Sequence, residues 1–329
     1  MIAFVPAARR RAAQGGVISA FTMALAVALV AGLSSCATDQ SQRQAVAWTE
    51  IGNAWSELGR WDKAGDAWSR AIAIDAGQAV AGYNLVRALA EAGKYDEAIA
   101  TADRYLASDP DNASVLSIKA YALHKAGRDD GAIVVYRRVV ELNGGDAASR
   151  YNLAVLLESL GQADEALALY DSILASQPDD ADAAFRKGML LSERGNAREA
   201  IPLIERYVAA NATSLEAQRA LALAYERASR FADAIDRYAL ITGREASDAA
   251  SWFSLARLKL TVAADAKGGL EALKLAILHG FADKVLAADL LASPELVAAE
   301  DVRSALDAAG LLAGSTAAGT ADSASTATP

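Results

Sequence analysis

Gly59, Gly93, Gly127, Gly161 and Gly195 stand 34 residues apart, and Ser229 continues the series. Ala64, Ala98, Ala132, Ala166, Ala200 and Ala234 keep the same interval. Trp55, Leu89, Leu123, Leu157, Leu191 and Tyr225 form a third column in the same register. Three columns with one period restrict the chain to an array of a single supersecondary unit. A unit of that length cannot bury its apolar face alone, so it must stack on its own copies.

Each unit reads as two helices. Ile51, Trp55 and Leu58 recur at helical spacing on one face. Gly59 and its equivalents stop the first helix, because glycine reaches the left-handed C′ conformation without steric cost. Asn112, Asp146, Asp180, Ser214 and Asp248 each close a unit, where a side-chain oxygen caps the helix that follows. Gly52, Ala120, Ala154, Gly188 and Ala222 are small where the first helix presses on the second, and Val86 departs from that rule. Hydrophobic residues make up 53% of the chain but aromatics only 6%. Much of the apolar content is alanine, a strong helix former.

This pattern resembles the tetratricopeptide repeat (TPR) family. The fullest copy is 45–78, with Trp48, Ile51-Gly52, Trp55, Leu58-Gly59, Trp61, Ala64, Trp68 and Ala71 at the family's positions. Tyr83-Asn84-Leu85 and Tyr151-Asn152-Leu153 match early in the first helix, and Pro110 and Pro178 fill the closing proline. The resemblance implies an all-α, right-handed TPR superhelix (α-solenoid). It has six regular repeats, 45–78, 79–112, 113–146, 147–180, 181–214 and 215–248. A seventh, degenerate repeat occupies about 249–280, where Thr261–Gly269 gains one residue and Ala276 arrives one place late. The solenoid thus spans 45–280. Residues 281–310 are expected to form a helical cap, with Ser293 capping a helix whose first turn holds Pro294. Leu311–Pro329, rich in Ala, Ser, Thr and Gly, is expected to be a disordered tail.

The N-terminus reads as an export signal over 1–35. Arg9 to Arg11 precede an uncharged stretch, Val17 to Leu33, and Leu33-Ser34-Ser35-Cys36 follows. Those four residues resemble a bacterial lipobox. The family's chemistry would diacylate Cys36 and make it the mature N-terminus, with Asp39–Gln44 in a short polar tether over 36–44. The alternative is an uncleaved signal anchor with Cys36 incidental. Either reading puts the rest of the chain outside the cytoplasm. Ala37, rather than Asp, after the cysteine points under the enteric sorting rule to the outer membrane, facing the periplasm.

Composition removes several function classes. Thirty-two Lys+Arg against 41 Asp+Glu give a net charge of −9, and three of the cations lie in the signal, which argues against nucleic acid as a partner. One Cys and two distant His leave no disulfide framework and no metal site. There is no phosphate-binding loop, dinucleotide fingerprint, zinc-protease motif or C-x-x-C pair. No enzyme and no cofactor are expected. Asp62, Asp96, Asp164 and Asp233 read as solvated carboxylates near the starts of second helices, where the macrodipole favours them. Lys119 and Lys187 replace an expected leucine at a buried column, with stems that can snorkel outward.

The columns that the family turns toward its concave groove hold Asn53, Tyr83, Asn84, Arg87, Tyr121, Tyr151, Asn152, Phe185 and Met189, the candidate partner-binding residues. Members that grip a C-terminal carboxylate use Asn at two of these places and bases in the third repeat. Asn53 and Asn84 match, but Ser117 and Tyr121 stand where the bases would be. The aromatic run instead suits an apolar or helical segment, although such rings can also simply pack between neighbouring helices. The resemblance therefore implies a membrane-anchored adaptor that holds a protein partner during assembly of a cell-envelope complex. The alternatives are a small-ligand periplasmic component of a transport system and a regulator of a cell-wall enzyme.

Overall fold

The computed structural model describes residues 37–312 apart from 76–78, 108 and 143–145. The chain divides into two compact units, Met1–Ala183 and Ala184–Pro329. Every regular element among the described residues is an α-helix. In the first unit they are α1 (Ala37–Glu57), α2 (Trp61–Ile74), α3 (Ala79–Glu91), α4 (Tyr95–Leu106), α5 (Ala113–Lys125), α6 (Asp129–Leu142), α7 (Ala147–Ser159) and α8 (Ala163–Ser176). The unit boundary falls in the first turn of α9 (Ala181–Glu193). The second unit continues with α10 (Ala197–Ala210), α11 (Leu215–Arg227), α12 (Phe231–Arg244), α13 (Ala249–Thr261) and α14 (Ala266–Leu278). Two shorter helices close it, α15 (Lys284–Ala292) and α16 (Ala299–Ala308). The odd-numbered helices from α1 to α13 are the first, or A, helices of successive pairs; the even-numbered ones are the B helices.

Backbone chemistry sets these boundaries. Gly59, Gly93, Gly127, Gly161 and Gly195 all take positive φ, between 68° and 87°, at the turn from A to B. Ser229 holds the same conformation at φ 60° without the freedom of a glycine. Asn112, Asp146, Asp180, Ser214 and Asp248 each accept a bond from a backbone N–H of the next helix, those of Val115, Ala148, Ala183, Ala217 and Ser251. Five A helices therefore start where the sequence predicts a cap.

In the first unit each helix packs on the next along the chain, and α3 also touches both α1 and α5. Gly52 lets α1 and α2 approach closely: the fully buried Trp68 lies where a Cβ would project, and its indole N–H donates to the Thr49 carbonyl at 3.1 Å. Gly82 makes the same room for Tyr105, whose ring carbon lies 2.7 Å from a notional Cβ. Trp48, Trp55, Trp61, Ile72 and Leu85 pack around the core of Ala64, Trp68, Ala71, Ala81 and Ala88. Charged pairs then join consecutive repeats. Lys94 meets Asp62 at 3.9 Å, Arg128 meets Asp96 at 2.5 Å, and Arg137 forks onto Glu165 at 2.8 and 3.2 Å.

In the second unit Gly188 accommodates Ile204 in the same way, 2.7 Å from a notional Cβ. Arg227 donates to Ser192, Arg257 pairs with Glu226, and the Tyr225 hydroxyl donates to Glu205 at 2.6 Å. Asp248 shows how one carboxylate serves several neighbours. Burial alone would raise its pKa, but the Ser251 hydroxyl and amide and the Arg219 guanidinium bring it below the ordinary value. The ring of Phe281 stacks on Phe253 with centroids 3.9 Å apart, and the Val297 amide returns to the Leu260 carbonyl at 3.1 Å. The last two helices bury Ala287, Leu290, Val302 and Leu306.

Several expectations need correction. Residues 39–44 are not a tether but the opening turns of α1, since Gln and Arg there favour helix and no Gly or Pro stands between Ala37 and Ile51. Leu58 is 63% exposed rather than part of the apolar face, because it lies past the last helical residue in the A-to-B turn. Pro294 does not start a helix. The Leu296 amide bonds back to the Ser293 carbonyl at 3.2 Å, so Pro294 is the second residue of a β-turn between α15 and α16. Leu311 is buried, with its amide on the Leu306 carbonyl, and so belongs to the packed end of α16 rather than to a tail. Val86 is wholly buried, and Lys119 is held by a 2.6 Å ion pair to Asp103 on the preceding B helix. The extra residue in the seventh pair falls in the turn before α14, where Ala264 takes φ 53° and Asp265 caps the helix through Gly268.

Candidate partner-binding face

In the first unit the A helices carry the candidate residues in parallel rows. Asn53 on α1 faces Asn84 on α3, and the Asn84 amide donates to the Asn53 side-chain oxygen at 3.1 Å. One turn further along α3, the Arg87 guanidinium lies over the Trp61 ring, 5.4 Å from its centroid. Arg87 Nε is buried and has no acceptor. Asn53, Tyr83, Asn84 and Arg87 are all half-buried, so each presents part of its side chain outward.

Tyr121 and Asn152 lie deeper. Tyr121 is 9% exposed, with the Lys125 ammonium 5.6 Å from its ring centroid. Burial, with help from the nearby Glu91 and Tyr95, pushes its phenol up to about 12. Asn152 is 2% exposed and hydrogen-bonded to the Tyr136 phenol, while its Oδ1 has no partner. Tyr151 is half-buried and meets Tyr170 edge-on, with centroids 6.1 Å apart. Phe185 and Met189 belong to the second unit. There Phe185 is 8% exposed and stacks on Tyr207 at 4.3 Å, whereas Met189 is half-buried. The side chains of Tyr121, Asn152 and Phe185 are thus largely engaged in packing. Asn53, Tyr83, Asn84, Arg87 and Tyr151 are the first-unit members that reach the surface.

Reading from columns missed three participants. Trp61, at the first position of a B helix, is the platform under Arg87. Glu57 and Glu91 share the column one turn beyond Asn53 and Arg87, at the ends of α1 and α3. Their spacing was visible: Glu91 lies four residues after Arg87, on the same helical face. His124, in the corresponding stretch of α5, is committed to Asp129 across the A-to-B turn at 2.7 Å. Arg150 is 6% exposed and fastens α7 to α8 through Ser172 and Ser176.

Among the described residues no cluster of three His, Cys, Asp or Glu is arranged to hold a metal ion. None of their helices is long and apolar enough to cross a membrane. Cys36 and the 1–35 segment lie outside the described residues, as does 313–329. What the first-unit face offers is amides, one cation over an indole, carboxylates and tyrosine rings. That is an inventory for recognising a polypeptide by shape, hydrogen bonds and charge.

No curated protein matches the chain. A tetratricopeptide repeat crystal structure from Parabacteroides merdae is 17% identical, with 76% of this chain and 97% of that one covered at a TM-score of 0.51. MamA from Desulfovibrio magneticus RS-1 is 20% identical over 51% of this chain and 94% of that one, with a TM-score of 0.48. At 17% identity the Parabacteroides merdae likeness is one of fold. Two models described as tetratricopeptide repeat match the sequence, one over 83–147 and 185–250 and the other over 123–186. Together they run unbroken from 83 to 250, just over half of the chain. The chain belongs to the tetratricopeptide repeat family, whose fold generally mediates protein–protein interaction.

Proposed function

We propose that this protein is a lipid-anchored adaptor of the bacterial cell envelope that holds a protein partner along the A helices of a right-handed superhelix. The observation that carries the reading is the set of half-buried Asn53, Tyr83, Asn84, Arg87 and Tyr151 on the A helices α1, α3 and α7 of the first unit. Adaptable polar groups and rings spread over several A helices suit an extended or helical segment better than a small molecule, which needs an enclosing pocket. In the second unit, Met189 gives α9 a half-buried apolar side chain of its own, with the turns after α14 and helices α15 and α16 covering the end of that unit.

The anchoring half of the proposal rests on Leu33-Ser34-Ser35-Cys36 after a basic and then uncharged segment. Acylated Cys36, carrying two or three chains, gives stable attachment. The outer membrane, facing the periplasm, is the proposed site. Within the envelope, assembly of a multiprotein complex is the role that best suits a tethered scaffold.

One experiment tests both halves. Wild-type protein, Cys36→Ala and Tyr83→Ala with Tyr151→Ala are expressed at equal level, and crosslinked envelopes are taken through affinity purification. Cys36→Ala should lose palmitate labelling and membrane fractionation. The tyrosine pair should stay in the membrane, keep its helical content and lose the partner. Unchanged fractionation of Cys36→Ala contradicts the anchor. Partner capture by a folded tyrosine variant contradicts the A-helix wall.

A further inference from the structure

The A-helix face of the first two repeats contains charges that the fold leaves without partners. Elsewhere on the A helices the fold answers its cations: Lys119 with Asp103, Arg150 with Ser172 and Ser176, Arg219 with Asp248, Arg227 with Ser192, and Arg257 with Glu226. Arg87 differs. Among the described residues it has no ion pair and no hydrogen-bond acceptor, its Nε is buried, and Trp61 covers one face of its fork. A buried donor with no acceptor is costly, and a planar guanidinium fixed over an indole is pre-organised for a carboxylate. One turn back on α3, Asn84 donates to Asn53, which leaves the Asn53 N–H donors and the Asn84 oxygen unused.

Glu91 stands four residues beyond Arg87 and does not pair with it, and Glu57 lies exposed at the end of α1. Neither carboxylate has an ion-pair partner among the described residues. The wall therefore reads, along α1 and α3, as the Asn53 amide donors level with one cation, then two anions a turn further on. A segment of uniform negative charge would gain at Arg87 and lose at Glu91 and Glu57. A cationic segment would do the reverse.

We propose that this face takes a polypeptide segment of mixed charge, with a side-chain carboxylate on Arg87 beside the Asn53 amide and, about a helical turn away, a Lys or Arg on Glu91 and Glu57. The inference rests on the partner-binding reading above and names the chemistry of the segment bound. It places the charge-selecting residue in the second repeat, whereas Ser117 and Tyr121 of the third carry no cation.

The test is selection of phage-displayed random dodecapeptides on immobilised full-length protein in detergent, with variants run in parallel. Wild type should enrich peptides with an Asp or Glu and a Lys or Arg at one fixed spacing. Arg87→Gln should lose the acid preference and bind the best wild-type peptide at least about tenfold more weakly. Glu91→Gln should lose the basic preference alone. Arg87→Lys keeps a cation over Trp61 and should retain the acid preference at reduced affinity, while Arg87→Glu should invert it. Retained far-UV helicity separates lost binding from lost fold, and the Lys and Glu variants decide the matter if Arg87→Gln does not fold. Peptides that bind wild type and the Arg87 variants alike overturn this assignment and leave partner binding on the face intact. Enrichment of nothing, or only of peptides still held after Tyr83→Ala with Tyr151→Ala, overturns the binding reading and this inference with it.

Discussion

Asn84 donates its side-chain amide to the oxygen of Asn53 at 3.1 Å, joining helices α3 and α1 on the face that also carries Arg87. The bond is between neutral groups and half-buried, so its net contribution should be about 0.5–1.5 kcal/mol. Asn53→Ala and Asn84→Ala should each lower stability by about that amount in urea unfolding. The double variant should cost less than the sum of the two, because the second change removes nothing further. Strict additivity would show that the two amides act independently.

The contact between Gly52 and Trp68 makes a sharper stability test. A methyl group at Gly52 would enter the indole, so Gly52→Ala should cost about 1–3 kcal/mol through overpacking despite alanine's better helix propensity. Trp68→Ala should cost about 3–5 kcal/mol by leaving a cavity and removing the indole's bond to the Thr49 carbonyl. Combining them should cost less than the sum, because the small residue no longer meets the ring. A stabilised Gly52→Ala protein would mean that α1 and α2 can separate freely.

At the A-to-B turns, Ser229 occupies the left-handed region that glycines hold in the five preceding repeats. Left-handed backbone costs an L-residue about 1–2 kcal/mol, and glycine returns part of this as entropy lost on folding. Ser229→Gly should therefore raise the melting temperature, and Gly161→Ala, with open space around its notional Cβ, should lower it. Opposite signs in differential scanning calorimetry check the assignment. A loss of stability from Ser229→Gly would contradict it.

Alkaline pH should loosen the array through its tyrosines. Burial holds Tyr121 up to about 12, and burial together with the Glu205 carboxylate does the same for Tyr225. Tyr136 and Tyr238 are raised further, mainly by burial. In the unfolded chain a tyrosine ionises near about 10. Above that pH the unfolded state loses protons that the folded state keeps, so rising pH favours unfolding. The tyrosine contribution should be intact below pH ~10 and should fall as pH rises toward the folded values. Melting temperatures between pH 8 and about 11.5, followed with tyrosinate absorbance, should drop along that course. Tyr121→Phe should flatten it. A profile insensitive to that substitution would assign the alkaline loss to other groups.

The fold was largely legible because its determinants are local. Gly59 and its equivalents, the five capping residues and the small column at Gly52 each act between adjacent helices, and the period repeats the signal. Boundaries failed where a local rule had a competitor. Pro294 suits both a helix start and a turn, and the backbone used the turn. The segment before Ala45 is polar yet contains no breaker, and polarity alone does not end a helix. The face was legible as a set of columns but not as a surface. Which of Tyr83, Tyr121 and Tyr151 reaches solvent depends on what the adjacent helices place beside each ring, and no column in the sequence records that. The charge pattern of Arg87, Glu91 and Glu57 became visible only when the structure showed which cations were already paired.

Site-specific photocrosslinking in intact cells tests partner binding most directly. A photoreactive phenylalanine analogue is placed at Tyr83, Asn84 or Tyr151 on the A helices, and at Val134 or Arg137, both exposed on a B helix. Adducts with one common protein from the A-helix sites, and none from Val134 or Arg137, are expected. Adducts confined to Val134 and Arg137, or the same adduct from every site, would contradict partner binding on the A-helix face.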